Sequence, residues 1–203
     1  IRNGWLEAEF APDGIAVRSL ASSPDRQVHL SHYRHSQPNS FRFGGYVPPL
    51  ISRGRGADVR CIGISWHDRV HAIYALPESG IRSVSDLAGK RLSVPARVND
   101  DVDWWRASVL GGYDALFDAG AITRDRVQLV DVRITRSYMD DAVTGSTAGQ
   151  SLWGATSQFA VQRDEVAALL RGEVDAIYSD GALTAVIAAT TGARPVVHLP
   201  GNE

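Results

Sequence analysis

Along this 203-residue chain, short apolar runs alternate with helix-patterned segments, and no other feature constrains the fold as strongly. Arg91 to Pro95, Val127 to Val132, Val174 to Tyr178 and Ala193 to Leu199 read as strands. Between them, residues 103–119, Asp164 to Arg171 and 182–191 read as helices. Strands separated by a helix can lie parallel, because the helix spans the return journey. The pattern predicts an α/β architecture.

Local signals set the borders of these elements. Ser83-Val84-Ser85-Asp86-Leu87-Ala88-Gly89 predicts a short capped helix closed by glycine. Trp105, Val109, Leu116 and Phe117 fall on the inward side of helix 103–119. Val166, Leu169 and Leu170 do so in the helix that ends at Gly172. Residues 140–157, rich in Gly, Ser and Thr, predict a loop. Toward the N-terminus, residues 4–11 read as a helix stopped by Pro12-Asp13-Gly14, and Ile15 to Leu20 as a strand. Residues 21–40 are polar and irregular, and Pro48-Pro49 suits the first turn of a helix. Val59 to Ser65 and His71 to Leu76 read as two successive strands. Ser79-Gly80 marks a change of region, so residues 1–80 are expected to form a first, partial lobe and 81–203 a second.

Composition excludes several classes. Hydrophobic residues make up 44% and charged residues 22%, as in globular domains. A formal net charge of −2 gives no bulk attraction to nucleic acid or to a membrane surface, so any preference for anions has to be local. No apolar run approaches the roughly 18 residues that span a bilayer. Ile1-Arg2-Asn3-Gly4-Trp5 reads as the middle of a helix, not as a signal peptide, so location is not legible directly. Cys61 is the only cysteine, which excludes an internal disulfide framework and a multi-cysteine metal site; within an apolar run, it is expected in the core. Lys90 is the only lysine among 21 basic residues, a ratio that codon bias explains as well as function does.

The richest segment for chemistry is residues 27–50. Arg42 supplies a fixed cation, and Gly44-Gly45 lets backbone approach a ligand with no Cβ in the way. A helix opening near Pro48 would aim its free N–H groups at the same place. Together they form a candidate oxyanion seat. His29, His32 and His35 recur every third residue, but no carboxylate or thiolate lies beside them and the stretch does not read as a helix, so no metal is expected. Of Trp104 and Trp105, one is needed for the core, leaving Trp104 to face a ligand. Asp100, Asp101 and Asp103, like Asp140-Asp141, read as solvated charge and not as a catalytic pair.

Phe41-Arg42-Phe43-Gly44-Gly45-Tyr46-Val47-Pro48-Pro49-Leu50 resembles a signature of the sulfinate desulfinases of the dibenzothiophene desulfurisation pathway. It also resembles segments of sulfonate/nitrate/taurine-type ABC transporter substrate-binding proteins. Similarity continues in Ser85 to Leu92, Gly172 to Ser179 and Thr191 to Val197, and so runs through nearly the whole chain. The resemblance implies a two-lobed type II periplasmic-binding-protein-like fold that closes on its ligand. It implies for His32, Arg42 and Gly45 the roles of the histidine, arginine and backbone amide that assist a desulfinase cysteine. That cysteine would belong to a strand upstream of Ile1, a role Cys61 does not fill. The chain is accordingly read as a piece of a longer protein, its first lobe incomplete and one sheet edge exposed.

Two functions are expected. The first is a solute-binding protein for a small sulfonate- or sulfinate-type organic anion, partnered by an ABC transporter permease and extracytoplasmic. The second is a cytoplasmic sulfinate desulfinase-like hydrolase of a C–S bond. The expected ligand-binding residues are His32, Gln37, Arg42, Gly44 and Gly45 in the first lobe, and Arg97, Trp104 and Ser179 in the second. No cofactor is expected, nor a nucleic-acid partner, nor direct membrane insertion.

Overall fold

The computed structural model describes residues 3–20, 23–66, 69–119, 122–138 and 155–199. The chain divides into two compact units, Ile1–Ile62 and Gly63–Glu203. The strand His71–Ala75, grouped with the first lobe in the sequence reading, is hydrogen-bonded into the sheet of the second unit.

The first unit is helical. Helix α1 (Trp5–Phe10) is followed by a 3₁₀ turn at Ala11–Asp13. Residues 15–19 then form no strand, against expectation: alternation alone does not make a strand where no neighbour pairs with it. The irregular segment expected over 21–40 contains helix α2 (Arg26–Arg34), started by Asp25, whose carboxylate accepts from the Gln27 N–H at 2.8 Å. It ends at His35, in the left-handed region at φ 52°, whose N–H bonds the Ser31 carbonyl at 2.8 Å. Helix α3 (Val47–Gly54) carries prolines in its first turn, as expected. Ser52 stitches the two helices: its hydroxyl donates to the Tyr33 carbonyl at 2.7 Å, so its oxygen accepts from His35 Nδ1 at 3.2 Å. Val59 to Ser65 forms no strand, and Ile62 and Ile64 are exposed, as is Cys61, which was expected in the core. These apolar side chains find no sheet to pack on among the described residues.

The second unit is a five-stranded sheet in the order β3-β2-β4-β1-β5. The strands are β1 (His71–Ala75), β2 (Arg91–Arg97), β3 (Gln128–Ile134), β4 (Ala176–Asp180) and β5 (Arg194–Leu199). β2 runs parallel to β3 and β4, while β1 is antiparallel to β4 and β5. Helices α4 (Trp104–Ala119) and α6 (Leu183–Thr191) fall where helical periodicity predicts them, while α5 (Ala155–Leu170) starts well before the Asp164 expected. Most of the loop expected over 140–157 lies outside the described residues, and α5 has begun by Ala155.

Strand alternation distributes the helices over two faces. Ala72, Tyr74 and Ile177 join Val166, Leu169 and Ile187 in one core, under α5 and α6. Tyr178, on the opposite face, lies against Gly112, Trp105 and Tyr113 of α4. Trp105, Val109, Leu116, Phe117, Val166 and Leu169 are all buried, whereas Leu170, the last residue of α5, stays exposed.

β2 and β4 share a single registered pair, Leu92 with Ala176, and then part. Pro95 has no N–H to give, and its carbonyl instead accepts from Arg106 Nη1 at 3.0 Å. The Ser93 carbonyl accepts from the Tyr113 hydroxyl at 2.9 Å. On the β4 side, the Tyr178 carbonyl accepts from Gln162 Nε2 at 2.8 Å. Side chains thus satisfy the backbone along an open seam between the two strands.

Candidate functional site

The first unit brings Arg42 together with His32 and Gly45. Arg42 is half-buried, and its guanidinium is fixed by two bonds: Nη1 to the Gly45 carbonyl at 2.8 Å and Nη2 to His32 Nε2 at 3.3 Å. Arginine only donates, so His32 Nε2 must be the unprotonated nitrogen. Burial first, then the Arg42 and His35 charges, push His32 down to about 4. Burial and Arg42 lower His35 as well. Both rings stay uncharged near neutral pH. The Arg42 cation is therefore held by two neutral acceptors, and its Nε is buried with no hydrogen-bond partner. No carboxylate pairs with it among the described residues.

Gly44 makes this arrangement possible. A Cβ there would stand 3.0–3.1 Å from the guanidinium atoms of Arg42, closer than side chains ordinarily pack. The helix start contributes less than the sequence implies. Pro48 and Pro49 have no N–H, so α3 offers Val47 alone in its first three positions. The Gly45, Tyr46 and Val47 amides donate to no other described residue. Gln37 lies nearby in the chain, its own N–H taken by the buried Ser31 hydroxyl at 2.9 Å. His29, on α2 with His32, has a buried Nε2 without a partner. Among the described residues no group of three or more His, Cys, Asp or Glu is placed to hold a metal ion.

In the second unit the chain leaves β2 for β3 on one side and returns to β4 on the other. The crevice outside the carboxyl ends of β2 and β4 is then the expected ligand position of a doubly wound sheet. Trp104 stands there at the first turn of α4, half-buried and stacked on Tyr138 with ring centroids 5.1 Å apart. Arg97, by contrast, is 3% exposed: its guanidinium lies 4.1 Å from the Tyr138 ring centroid and donates to the Arg136 carbonyl at 3.0 Å. Ser179 is fully buried and donates to Gln162 Oε1 at 2.9 Å. Of the three residues expected from this unit, only Trp104 offers surface to a ligand.

Asp103 and Tyr138, which the sequence reading did not select, hold that corner. Asp103, directly before α4, accepts from the Arg97 N–H at 2.7 Å, the Tyr138 hydroxyl at 2.7 Å and the Arg106 N–H at 3.1 Å. Its place one residue ahead of the helix was the available signal. Tyr138 follows a strand at a distance no sequence motif marks.

The second unit is thus an α/β sheet with helices on both faces, and the first holds an arginine with no carboxylate partner among the described residues. The profile of the family described as "NMT1/THI5 like" matches residues 46–153, just over half of the chain. The chain belongs to the NMT1/THI5-like family. It is 32% identical over 220 aligned positions to a 2'-hydroxybiphenyl-2-sulfinate desulfinase of Rhodococcus erythropolis, covering 99% of this chain and 57% of that protein. The chain thus spans somewhat over half the length of the curated relatives it matches. A crystal structure of a DSZB mutant in complex with biphenyl-2-sulfinic acid superposes with a TM-score of 0.55 at 27% identity, over 97% of this chain and 59% of that one. The periplasmic aliphatic sulphonate binding protein SsuA from Escherichia coli gives a TM-score of 0.45 at 18% identity, over 75% of this chain and 40% of its own.

Proposed function

We propose that the chain holds a small organic anion of the sulfinate or sulfonate class at Arg42. The observation that carries this reading is a half-buried guanidinium bound only to neutral groups, the His32 imidazole and the Gly45 carbonyl. A desolvated cation without a counter-ion is unfavourable, and an oxyanion would relieve it through charge-assisted hydrogen bonds. The open Gly45, Tyr46 and Val47 amides add donors of the right polarity. Phe41, Phe43 and Tyr46 are strongly exposed around this cation, which suits an anion bearing an apolar group better than inorganic sulfate. His32 and Gln37 complete the polar side of the seat.

Two fates of the bound anion have support. Relatedness along almost the whole chain to desulfinases supports hydrolysis of a C–S bond, with His32, Arg42 and Gly45 assisting a nucleophile. The chemistry of the seat supports holding alone, as in a carrier that delivers its anion to an ABC permease. Covalent cleavage needs an activated nucleophile, and none is hydrogen-bonded to His32 or Arg42 among the described residues.

Calorimetric titration with an aryl sulfinate and an alkyl sulfonate tests the seat. Arg42→Ala is expected to weaken binding at least tenfold, about 1.4 kcal/mol; unchanged affinity removes the seat. Sulfite release from an aryl sulfinate, measured on the protein made from its whole gene, separates the readings. Release establishes the hydrolase, and tight binding without release establishes the carrier.

A further inference from the structure

Glu165 is the most deeply buried carboxyl group that the anion seat does not use. It lies on α5 and is 1% exposed. Oε1 accepts from the Trp105 indole N–H at 2.8 Å, while Oε2 is buried with no hydrogen-bond partner among the described residues. Trp105 belongs to α4, on the opposite face of the sheet from α5. Their bond therefore crosses the sheet where β2 and β4 have separated. An ionised carboxylate placed there would leave Oε2 buried without a hydrogen bond, whereas a neutral carboxyl is far less penalised by burial.

Groups around Glu165 do not reverse that preference. Burial is the dominant influence and lifts Glu165 to about 7. The Trp105 bond, a bond from its own backbone and the Arg97 charge of β2 pull it down, and Asp164, its neighbour on α5, pushes it up. Arg97 is already engaged with the Arg136 carbonyl and the Tyr138 ring. From α4, Tyr113 donates its hydroxyl to the Ser93 carbonyl. From β1 and β4, His71 Nδ1 bonds the Tyr178 hydroxyl, and Asp180 faces Arg69. β3 contributes Asp131, tied to Arg106, and Arg133. α6 contributes no ionisable group.

We propose that Glu165 is a proton-operated element of the seam: as a neutral carboxyl it stays buried between α5 and α4 beside Trp105, and on losing its proton the buried charge, with Oε2 unpartnered, draws water into the seam and opens it although the Trp105 bond itself strengthens. This element rests on the second unit alone and does not depend on what Arg42 binds. Its consequence would be felt at the crevice, because Trp104, the one second-unit candidate with surface to offer, is the residue next to Trp105.

The test is an NMR titration of the whole chain from pH 5 to 9. It follows the Glu165 side-chain carboxyl carbon and the Trp105 indole N–H, the latter assigned by its loss in Trp105→Phe. Both resonances are expected to move together with a midpoint near neutrality, the indole N–H is expected to exchange faster with solvent above that midpoint, and both indole changes are expected to stop in Glu165→Gln. A carboxyl that titrates in the ordinary glutamate range overturns the proposal. So does an indole resonance that ignores the titration, an indole N–H that exchanges no faster above the midpoint, or an indole resonance that still moves in the Gln variant. If the Gln variant does not fold, the two resonances of the native chain still decide, since they must share one midpoint.

Discussion

Two glycines serve opposite purposes, one in packing and one in placing a charge. At Gly112 the Tyr178 ring rests directly on the α4 backbone, and a Cβ would overlap its Cε2 and Cζ atoms. The ring is fully buried with its hydroxyl on His71 Nδ1, so it has nowhere to retreat. Gly112→Ala is expected to destabilise the second unit by about 1–3 kcal/mol or more, as overpacked cores do; urea denaturation measures this. At Gly44 the atoms met by a Cβ are the far end of Arg42, which can swing away. Gly44 also holds φ 159°, a conformation L side chains rarely adopt, so Gly44→Ala is expected to cost about 1–3 kcal/mol of stability and, beyond that, to weaken anion binding by dislodging the guanidinium from His32 and Gly45. Equal losses of stability and affinity would show that the glycine serves folding alone. The imidazole partner gives a further check. With Arg42 beside it and burial against its charged form, His32 is expected to titrate at about 4 by NMR, and Arg42→Ala is expected to raise that midpoint.

At the level of elements, the seam depends on Gln162. It is fully buried and bonds both the Tyr178 carbonyl and the Ser179 hydroxyl, standing in for the strand that β4 lacks there. Gln162→Leu keeps the volume and strands two polar groups, so it is expected to cost about 1–3 kcal/mol for each group left unsatisfied, read from the denaturation midpoint. A near-neutral effect would mean that water enters the seam. The same contrast explains what was legible in the sequence. The strands and helices from His71 onward were readable because each buries a periodic face against a neighbour also present in the chain. α2 was not, because its nine residues are mostly polar and its start rests on one Asp25 cap. Val59 to Ser65 misled because an apolar run predicts a strand only where some other backbone accepts its hydrogen bonds. At the site, Arg42 and Gly44 were legible as a cation beside open backbone, and Trp104 as the less buried of two tryptophans. Ser179 and Arg97 are expected in the loops that follow their strands, but both lie inside β4 and β2, and the face each takes is set by pairings remote in sequence. Glu165 beside Val166 looks like the polar side of an amphipathic helix, and only the parting of β2 from β4 buries it.

For the whole molecule, the two units carry titrating groups of opposite sign. His32 in the first unit is lowered to about 4, from an ordinary value near 6.5 that it regains on unfolding. Its contribution to stability is complete above pH 6.5 and is lost as pH falls toward 4. Because the ring is partly solvated, the effect is modest. Glu165 in the second unit is raised from 4.5 to about 7. Below pH 4.5 it costs nothing, and stability is lost progressively as pH rises to 7, by something of order 3 kcal/mol at most. Asp86 and Asp175 in the same unit are lowered from 3.8 by hydrogen bonds, from Arg82 and Ser83 in the first case and Arg91 in the second. Their contributions fail only below about pH 4, outside the window where His32 and Glu165 act. Acidifying from pH 7 to pH 5 is therefore expected to weaken the Ile1–Ile62 unit while strengthening the Gly63–Glu203 unit. Urea midpoints read separately from amide resonances of Ser31 and Ile177, one in each buried interior, check this directly. Midpoints moving apart in those directions establish that the units unfold independently and that these groups set their pH dependence. A single midpoint shared by both amides at every pH would show that the chain unfolds as one body, with the opposing contributions partly cancelling.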